Sequence, residues 1–434
     1  METRKESIII LDFGAQYSQL IARRIRELKV YSCIVPFNTK ADEIQKMNPK
    51  GIIFSGGPCS VCDSGSPRPD PAVYDLGIPI LGICYGLQAM AIENGSNVAK
   101  PKRREYGLAD LIIEKSSPLL KGMTNSQIWM SHGDSVLSLP NGFEAIAKTD
   151  NCEFCAVENK GRKLYGVQFH PEVVHSKEGK VLLKNFAYDI CGCTGSWTMA
   201  NFIDESVKSI REKVGDRQVL CGLSGGVDSS VAAVLINKAI GSNLVCVFVN
   251  NGLLRKNEAE NVQKVFKDTF NIRFVYSDSE KLFLDALKGI SEPEAKRKTI
   301  GKVFIDAFYN SARQIEKDSG KKISFLAQGT LYPDVIESKS PTGGPSATIK
   351  SHHNVGGLPD DLKWDLLEPL RDLFKDEVRN LGRELSLPVN LVDRHPFPGP
   401  GLGVRCIGEV TKPRLDTLRE VDAIFIEEIR KAGL

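Results

Sequence analysis

Cys84 stands between an apolar run, Ile78-Pro-Ile-Leu-Gly-Ile83, and a helical stretch from Leu87 to Glu93, with Gly82 and Gly86 on either side. A thiol at the turn from a buried strand into a helix is placed as a nucleophile, because the turn presents the sulfur and the positive end of the helix favours the thiolate. The amide of Tyr85 then faces the oxyanion that forms when a carbonyl is attacked. A cysteine nucleophile needs a base, and the base needs an acceptor that fixes its tautomer. Tyr165-Gly-Val-Gln-Phe-His170-Pro-Glu172 supplies both, a strand-like run that ends at His170 with Glu172 two residues on. The turn Ser55-Gly-Gly-Pro58 follows another strand-like run, Gly51 to Phe54, and its N–H groups, that of Gly57 in particular, complete an oxyanion hole.

A second chemistry-bearing segment is Ser224-Gly225-Gly226-Val227-Asp228-Ser229-Ser230. It lies between a strand pattern, Gln218 to Leu223, and a helix pattern from about Ser229 to Ile240, so successive backbone N–H groups and the helix dipole converge on an anion. Ser224, Ser229 and Ser230 add hydroxyl donors, and Asp228 suits either a magnesium ion or the helix start. The Gly-Lys-Ser/Thr ending of a Walker A loop is absent.

Both segments need a scaffold of buried strands and flanking helices. Short β-branched runs alternate with amphipathic stretches: Ser7 to Asp12, a helix over Gln16 to Leu28, Val30 to Pro36, Gly51 to Phe54 and Ile78 to Ile83. That rhythm predicts a mostly parallel sheet with helices on its faces. It breaks at Cys191-Gly-Cys-Thr-Gly-Ser196 and resumes with a helix over Met199 to Lys213, then strands over Gln218 to Leu223 and Leu244 to Asn250. The stretch Leu331 to Leu358 is rich in Gly, Pro, Ser and His and reads as a lid or binding loop. A helix is expected over Lys412 to Lys431.

The chain has 434 residues, 41% hydrophobic and 26% charged, a composition that excludes fibrous, disordered and membrane-spanning classes. Fifty-seven basic against 54 acidic residues leave a net charge of +3, so no general nucleic-acid or lipid partner is implied. The charged start runs into too short an apolar stretch for a signal peptide, which places the protein in the cytosol. Eleven cysteines in such a chain predict reduced thiols. Cys59-Ser-Val-Cys62 and Cys152-Glu-Phe-Cys155 have metal-ligand spacing, but nothing in the sequence joins the pairs, so they read as incidental.

Taken in order, the Gly-Gly loop, cysteine elbow and His-Pro-Glu segment resemble a class I glutamine amidotransferase. By that resemblance Cys84 attacks the glutamine carboxamide, His170 is the acid and base, Glu172 orients it, and Gly57 and Tyr85 form the oxyanion hole. The segment 224–230 resembles the pyrophosphate loop of the N-type ATP pyrophosphatases, which transfer AMP from ATP. Leu11-Asp-Phe-Gly-Ala-Gln-Tyr17, Gly329-Thr-Leu-Tyr-Pro-Asp-Val-Ile-Glu337, Lys350-Ser-His-His-Asn-Val-Gly-Gly357 and Pro396-Phe-Pro-Gly-Pro-Gly-Leu402 are similar to the GMP synthetase family over almost the whole chain. The resemblance implies two doubly wound α/β domains: an amidotransferase domain over 1–193 and an adenine nucleotide alpha hydrolase-like ATP pyrophosphatase domain over 199–395. The truncated start of a smaller α+β dimerisation domain follows over 396–434. It implies glutamine, XMP and ATP as substrates, ATP acting with Mg2+, and Arg255, Asp334, Glu337 and Lys350 as substrate or lid contacts. The full-length family is expected to be a homodimer, an assembly in doubt for a chain ending at Leu434. Open alternatives are a fragment retaining only glutaminase and ATP binding, another acceptor for the same two modules, an RNA-thiolating enzyme, and a non-catalytic nucleotide- or glutamine-binding remnant.

Overall fold

Ser7–Asp12 forms a strand with every residue buried, as do Gly51–Phe54 and Ile80–Ile83. Burial on both faces is what a parallel strand sandwiched between helices requires, and it explains why these runs are continuous in Ile, Leu and Phe rather than alternating. Each such side chain contributes roughly 1.5–3 kcal/mol when removed from water. The computed structural model describes residues 6–100, 105–337 and 364–433. The chain forms two compact units that part between Thr198 and Met199.

In the first unit the strands lie in the spatial order Tyr31–Pro36, Ser7–Asp12, Gly51–Phe54, Ile80–Ile83, Leu164–Val167, Ala156–Asn159, Glu144–Lys148 and Ile112–Ile113. Neighbours are parallel as far as Leu164–Val167 and antiparallel beyond it. Register decides what meets at the sheet edge: Phe54 pairs with Gly82, and Ile83 pairs with Val167. The Ser55 turn, Cys84 and the His170 segment therefore leave the sheet together at the carboxyl ends of their strands, where open α/β sheets bind ligands. A separate antiparallel ribbon pairs Glu105–Asp110 with Gln127–His132, Glu105 facing His132. Its alternating burial betrays one covered face.

The second unit carries an all-parallel sheet in the order Arg273–Asp278, Leu244–Asn250, Gln218–Leu223, Ile323–Ala327 and Asp365–Leu367. The helices Val227–Ile240 and Pro293–Ser319 pack against it. Both units are thus of the α/β class. Leu402, Cys406, Val410 and Leu415 join the core that also holds Leu220, Val245 and Phe308, so residues after 395 help bury this sheet.

Most expected elements recur with shifted ends. The helix after the 224–230 loop begins at Val227, two residues before Ser229, because Gly226 caps it with extended backbone. The expected lid stretch opens with a short helix, Tyr332–Glu337, and residues 338–363 lie outside the described ones.

Candidate active sites

Cys84 adopts φ 51° and ψ −107° at the start of the helix Tyr85–Glu93. A side chain at positive φ is strained, and such strain persists where the surrounding structure fixes it. What fixes it here is close approach of the helix to the sheet. A Cβ on Gly86 would meet the Phe54 carbonyl oxygen at 2.4 Å, and one on Gly82 would meet the Leu87 nitrogen at 2.6 Å. The Cys84 amide donates to Val167 O at 2.8 Å, fastening the elbow to the neighbouring strand.

The Cys84 sulfur is 3.5 Å from the Ser131 carbonyl oxygen and lies close enough to the His170 imidazole to favour its charged form. On the other side of the ring, His170 Nδ1 lies 2.8 Å from Glu172 Oε1, both groups buried. Burial of His170 disfavours its charged form, yet hydrogen bonds and charges from Cys84 and Glu172 outweigh it and push the imidazolium up to about 10. Three backbone ties hold the set: His170 N to Trp129 O at 3.0 Å, Ser176 Oγ to His170 O at 2.6 Å, and Arg24 Nε to Glu172 O at 2.9 Å.

The Gly-Gly turn closes over this pair. A Cβ on Gly56 would lie 3.2 Å from His170 Cε1 and 4.0 Å from Cys84 Cβ, and one on Gly57 would lie 3.1 Å from the Tyr85 ring. Ser55 pins the turn, accepting from Phe13 N at 3.0 Å and donating to Gly56 O at 2.8 Å. Tyr85 is the first residue of its helix, so its amide is among those without an intrahelical acceptor. Tyr17 ends a segment that carries the family resemblance but has no role readable from the sequence, and its ring meets that of His170 edge-on at 6.1 Å. The Asp12 carboxylate bends the chain toward it, accepting from Gly14 N at 2.9 Å and Ser18 Oγ at 2.7 Å.

In the second unit the 224–230 segment borders a cavity of about 450 Å³. Its lining includes Ser224, Asp228, Ser229, Phe308, Thr330 and Asp334. Gly225 sits at φ +72°, and a Cβ there would come within 2.8 Å of Glu258 Oε1. Arg394 bridges that carboxylate at 2.6 Å and donates to Gly225 O at 2.5 Å, so the loop is clamped from behind. Inside the loop, Ser224 Oγ and Ser229 Oγ are 3.1 Å apart, and Ser230 Oγ donates to Gly226 O at 2.7 Å. The amides of the first helical turn, Val227 to Ser229, have no intrahelical acceptors and favour an anion.

Asp228 is in that first turn, and both its oxygens accept from Lys375 Nζ, at 2.7 and 2.6 Å. Lys375 escaped the sequence reading because it lies 147 positions away and belongs to no glycine-rich signature. Asp228, Asp334, Ser224, Ser229 and Thr330 give the cavity lining oxygen-bearing side chains, the donor type magnesium prefers. Asp334 also caps its own helix, accepting from Leu331 N at 3.1 Å. Arg255 is placed elsewhere, in a cavity of about 480 Å³ with Arg394 and Asp422, its Nε 3.0 Å from Asp422 Oδ2. Glu337 ends the helix Tyr332–Glu337. Lys350 lies outside the described residues.

Comparison with known proteins bears on both units. Residues 9–190 match the family model "Glutamine amidotransferase class-I", and residues 198–297 match "NAD synthase". The chain is 54% identical over 435 residues to a protein of Brachyspira hyodysenteriae named GMP synthase [glutamine-hydrolyzing], covering 100% of this chain and 84% of that one. It is 56% identical over 431 residues to the protein of that name from Acetivibrio thermocellus, covering 99% and 83%. Among solved structures it is similar to a glutamine amidotransferase from Thermotoga maritima, with 17% identity, a TM-score of 0.35 and coverage of 43% of this chain and 98% of that one.

Proposed function

This chain belongs to the glutamine-hydrolysing GMP synthase family, and on that premise we propose that Cys84 releases ammonia from glutamine while the 224–230 loop binds the ATP that activates XMP. The reaction is glutamine-dependent amination of XMP to GMP at the expense of ATP, which leaves as AMP and pyrophosphate.

At the first site the proton of Cys84 is held on His170, and the sulfur adds to the glutamine carboxamide carbon. The oxyanion is met by the amides of Gly57 and Tyr85. His170 gives its proton to the departing nitrogen, releasing ammonia and leaving a γ-glutamyl thioester. The neutral imidazole then takes a proton from water, which attacks the thioester, and glutamate leaves as the sulfur anion is expelled, with the proton again on His170. Glu172 holds Nδ1 throughout, so Nε2 is the nitrogen that exchanges protons.

At the second site the triphosphate lies along the amides of the 224–230 loop, with the serine hydroxyls as further donors. An XMP carbonyl oxygen attacks the α-phosphorus, pyrophosphate leaves, and the adenylylated oxygen becomes a good leaving group. Ammonia adds at that carbon and expels AMP. Asp228, with Asp334 across the cavity, would hold Mg2+, which neutralises phosphate charge when bound. Lys375 keeps the Asp228 carboxylate in place. In this proposal Asp334 and Glu337 belong to the lid, Lys350 contacts a phosphate, and Arg255 is a more distant nucleotide contact. Placement in the cytosol belongs to the same proposal.

The observation that supports it most is the strained Cys84 elbow meeting the buried His170–Glu172 pair. Incubation with glutamine, ATP and XMP should give GMP, AMP, pyrophosphate and glutamate in equal amounts. Faster pyrophosphate release with a different carbonyl or carboxyl acceptor would reassign the substrate.

A further inference from the structure

The mechanism leaves one buried cluster without a role. Glu105, His132 and Cys152 each present a ligand atom, all within 4.8 Å of one another, and all three residues are buried. They come from three places: Glu105 and His132 face each other across the antiparallel ribbon, and Cys152 lies in the loop after the strand Glu144–Lys148. Thr149 ties that loop to the ribbon, its Oγ1 donating to Glu105 Oε1 at 3.0 Å and accepting from Cys152 N at 3.0 Å. Cys155 is completely buried, and its side chain neighbours that of Cys152.

The hydrogen-bond pattern of His132 points to a cation. Nδ1 lies 2.9 Å from Asp134 O, which can only accept, and 3.3 Å from Ser135 Oγ, a hydroxyl that can accept as well, so the shorter contact places the proton on Nδ1. That leaves Nε2 of the neutral ring as an acceptor, and it is aimed at Glu105 Oε2, 3.4 Å away. Both atoms are buried without a hydrogen-bond partner. Two lone pairs facing each other in a dry interior repel, and a buried polar group without a partner costs about 1–3 kcal/mol. A cation between them removes both penalties. Donation of the second ring N–H to a backbone carbonyl is also how metal-binding histidines are commonly oriented.

We propose that Glu105, His132, Cys152 and Cys155 bind one thiophilic divalent cation of zinc's class as a structural site. Tetrahedral zinc is held at about 2.0–2.3 Å by such nitrogen, oxygen and sulfur donors, so its ligand atoms stand roughly 3–4 Å apart; the Glu105, His132 and Cys152 donors, within 4.8 Å of one another, need a modest contraction, and the Cys155 side chain must turn in to join them. Two thiolates favour zinc over magnesium or calcium. The pair Cys59 and Cys62 is not part of the site, since both are exposed and the Cys62 thiol is turned to Val98 O at 3.0 Å. The bound cation braces the glutaminase centre. Next to His132, Ser131 O contacts the Cys84 sulfur, and Asp134 O, which holds the His132 ring, also accepts from Gln88 of the nucleophile's helix at 2.7 Å.

The test is metal analysis of the purified full chain, reloaded with zinc and desalted. About one zinc per chain is expected, falling below roughly a tenth in Cys152→Ser and His132→Gln and remaining in a Cys59→Ser/Cys62→Ser variant. Zinc should raise the melting temperature of the unaltered chain and leave that of Cys152→Ser unmoved. Cobalt in place of zinc reads the ligands directly without a variant: tetrahedral visible bands with a thiolate charge-transfer band are expected. A chain that retains no zinc, cobalt spectra without sulfur ligation, loss of zinc from the Cys59/Cys62 variant, or a Cys152–Cys155 disulfide in freshly purified protein would each overturn the proposal.

Discussion

His170 is easier to protonate than a free imidazole because it sits between two groups that prefer it charged. Its charged form is pushed up to about 10, well above the unfolded value near 6.5. A raised pKa in the folded state contributes stability that is complete below about pH 6.5 and lost as the pH climbs through about 10. Glu172→Gln removes the carboxylate charge from that balance, so the imidazolium should titrate at lower pH; NMR titration of the ring checks this. His170→Ala should cost glutaminase activity roughly 100 to 10,000-fold, the range of a lost general acid and base, with amination from added ammonium salt preserved. Steady-state glutamate release and GMP formation read the two effects separately. Cys84, His170 and Glu172 were legible as residues because their types sit at fixed offsets beside turn glycines. Tyr17, which only the fold brings to the imidazole, was not.

At the scale of elements, each site is a strand, a tight turn and a helix, and both turns depend on missing side chains. Gly86→Ala should force the nucleophile's helix away from the Phe54 strand, since its Cβ would come 2.4 Å from a backbone carbonyl. Overpacking of this kind costs about 1–3 kcal/mol, and displacement of Cys84 should lower glutaminase activity as well. Thermal melting with a glutaminase assay would show it, and an unchanged melting temperature would mean the helix has room. In the second unit, Asp228→Asn should abolish pyrophosphate release from ATP and XMP while glutaminase activity survives. Lys375→Met should weaken the same step, because Lys375 holds both oxygens of Asp228. Strands such as Gly51–Phe54, Gln218–Leu223 and Leu244–Asn250 were readable to the residue, being short apolar runs bounded by turn signals. The Glu105–Asp110 ribbon was not: Tyr106 and Leu108 lie on its exposed face and Glu105 on the covered one, so residue types misstate which face is buried, and its pairing with Gln127–His132 is set by long-range contacts. For that reason the spacing of Cys152 and Cys155 reads as incidental in the sequence, and only the ribbon brings Glu105 and His132 beside Cys152.

At the scale of the whole molecule, the segments proposed for the two halves of one nitrogen transfer lie in separate compact units. The order of the motifs along the chain made this division visible in the sequence. The placement of residues after 395 in the second unit's core was not visible there, because Leu402, Cys406, Val410 and Leu415 are spread through a glycine-rich turn and a mixed helix. The measurement that bears most directly on the division is GMP formation by Cys84→Ala, supplied in turn with glutamine and with ammonium salt. The account predicts no detectable product from glutamine and a rate with ammonium close to that of the unaltered chain. Equal loss with both nitrogen sources would contradict it.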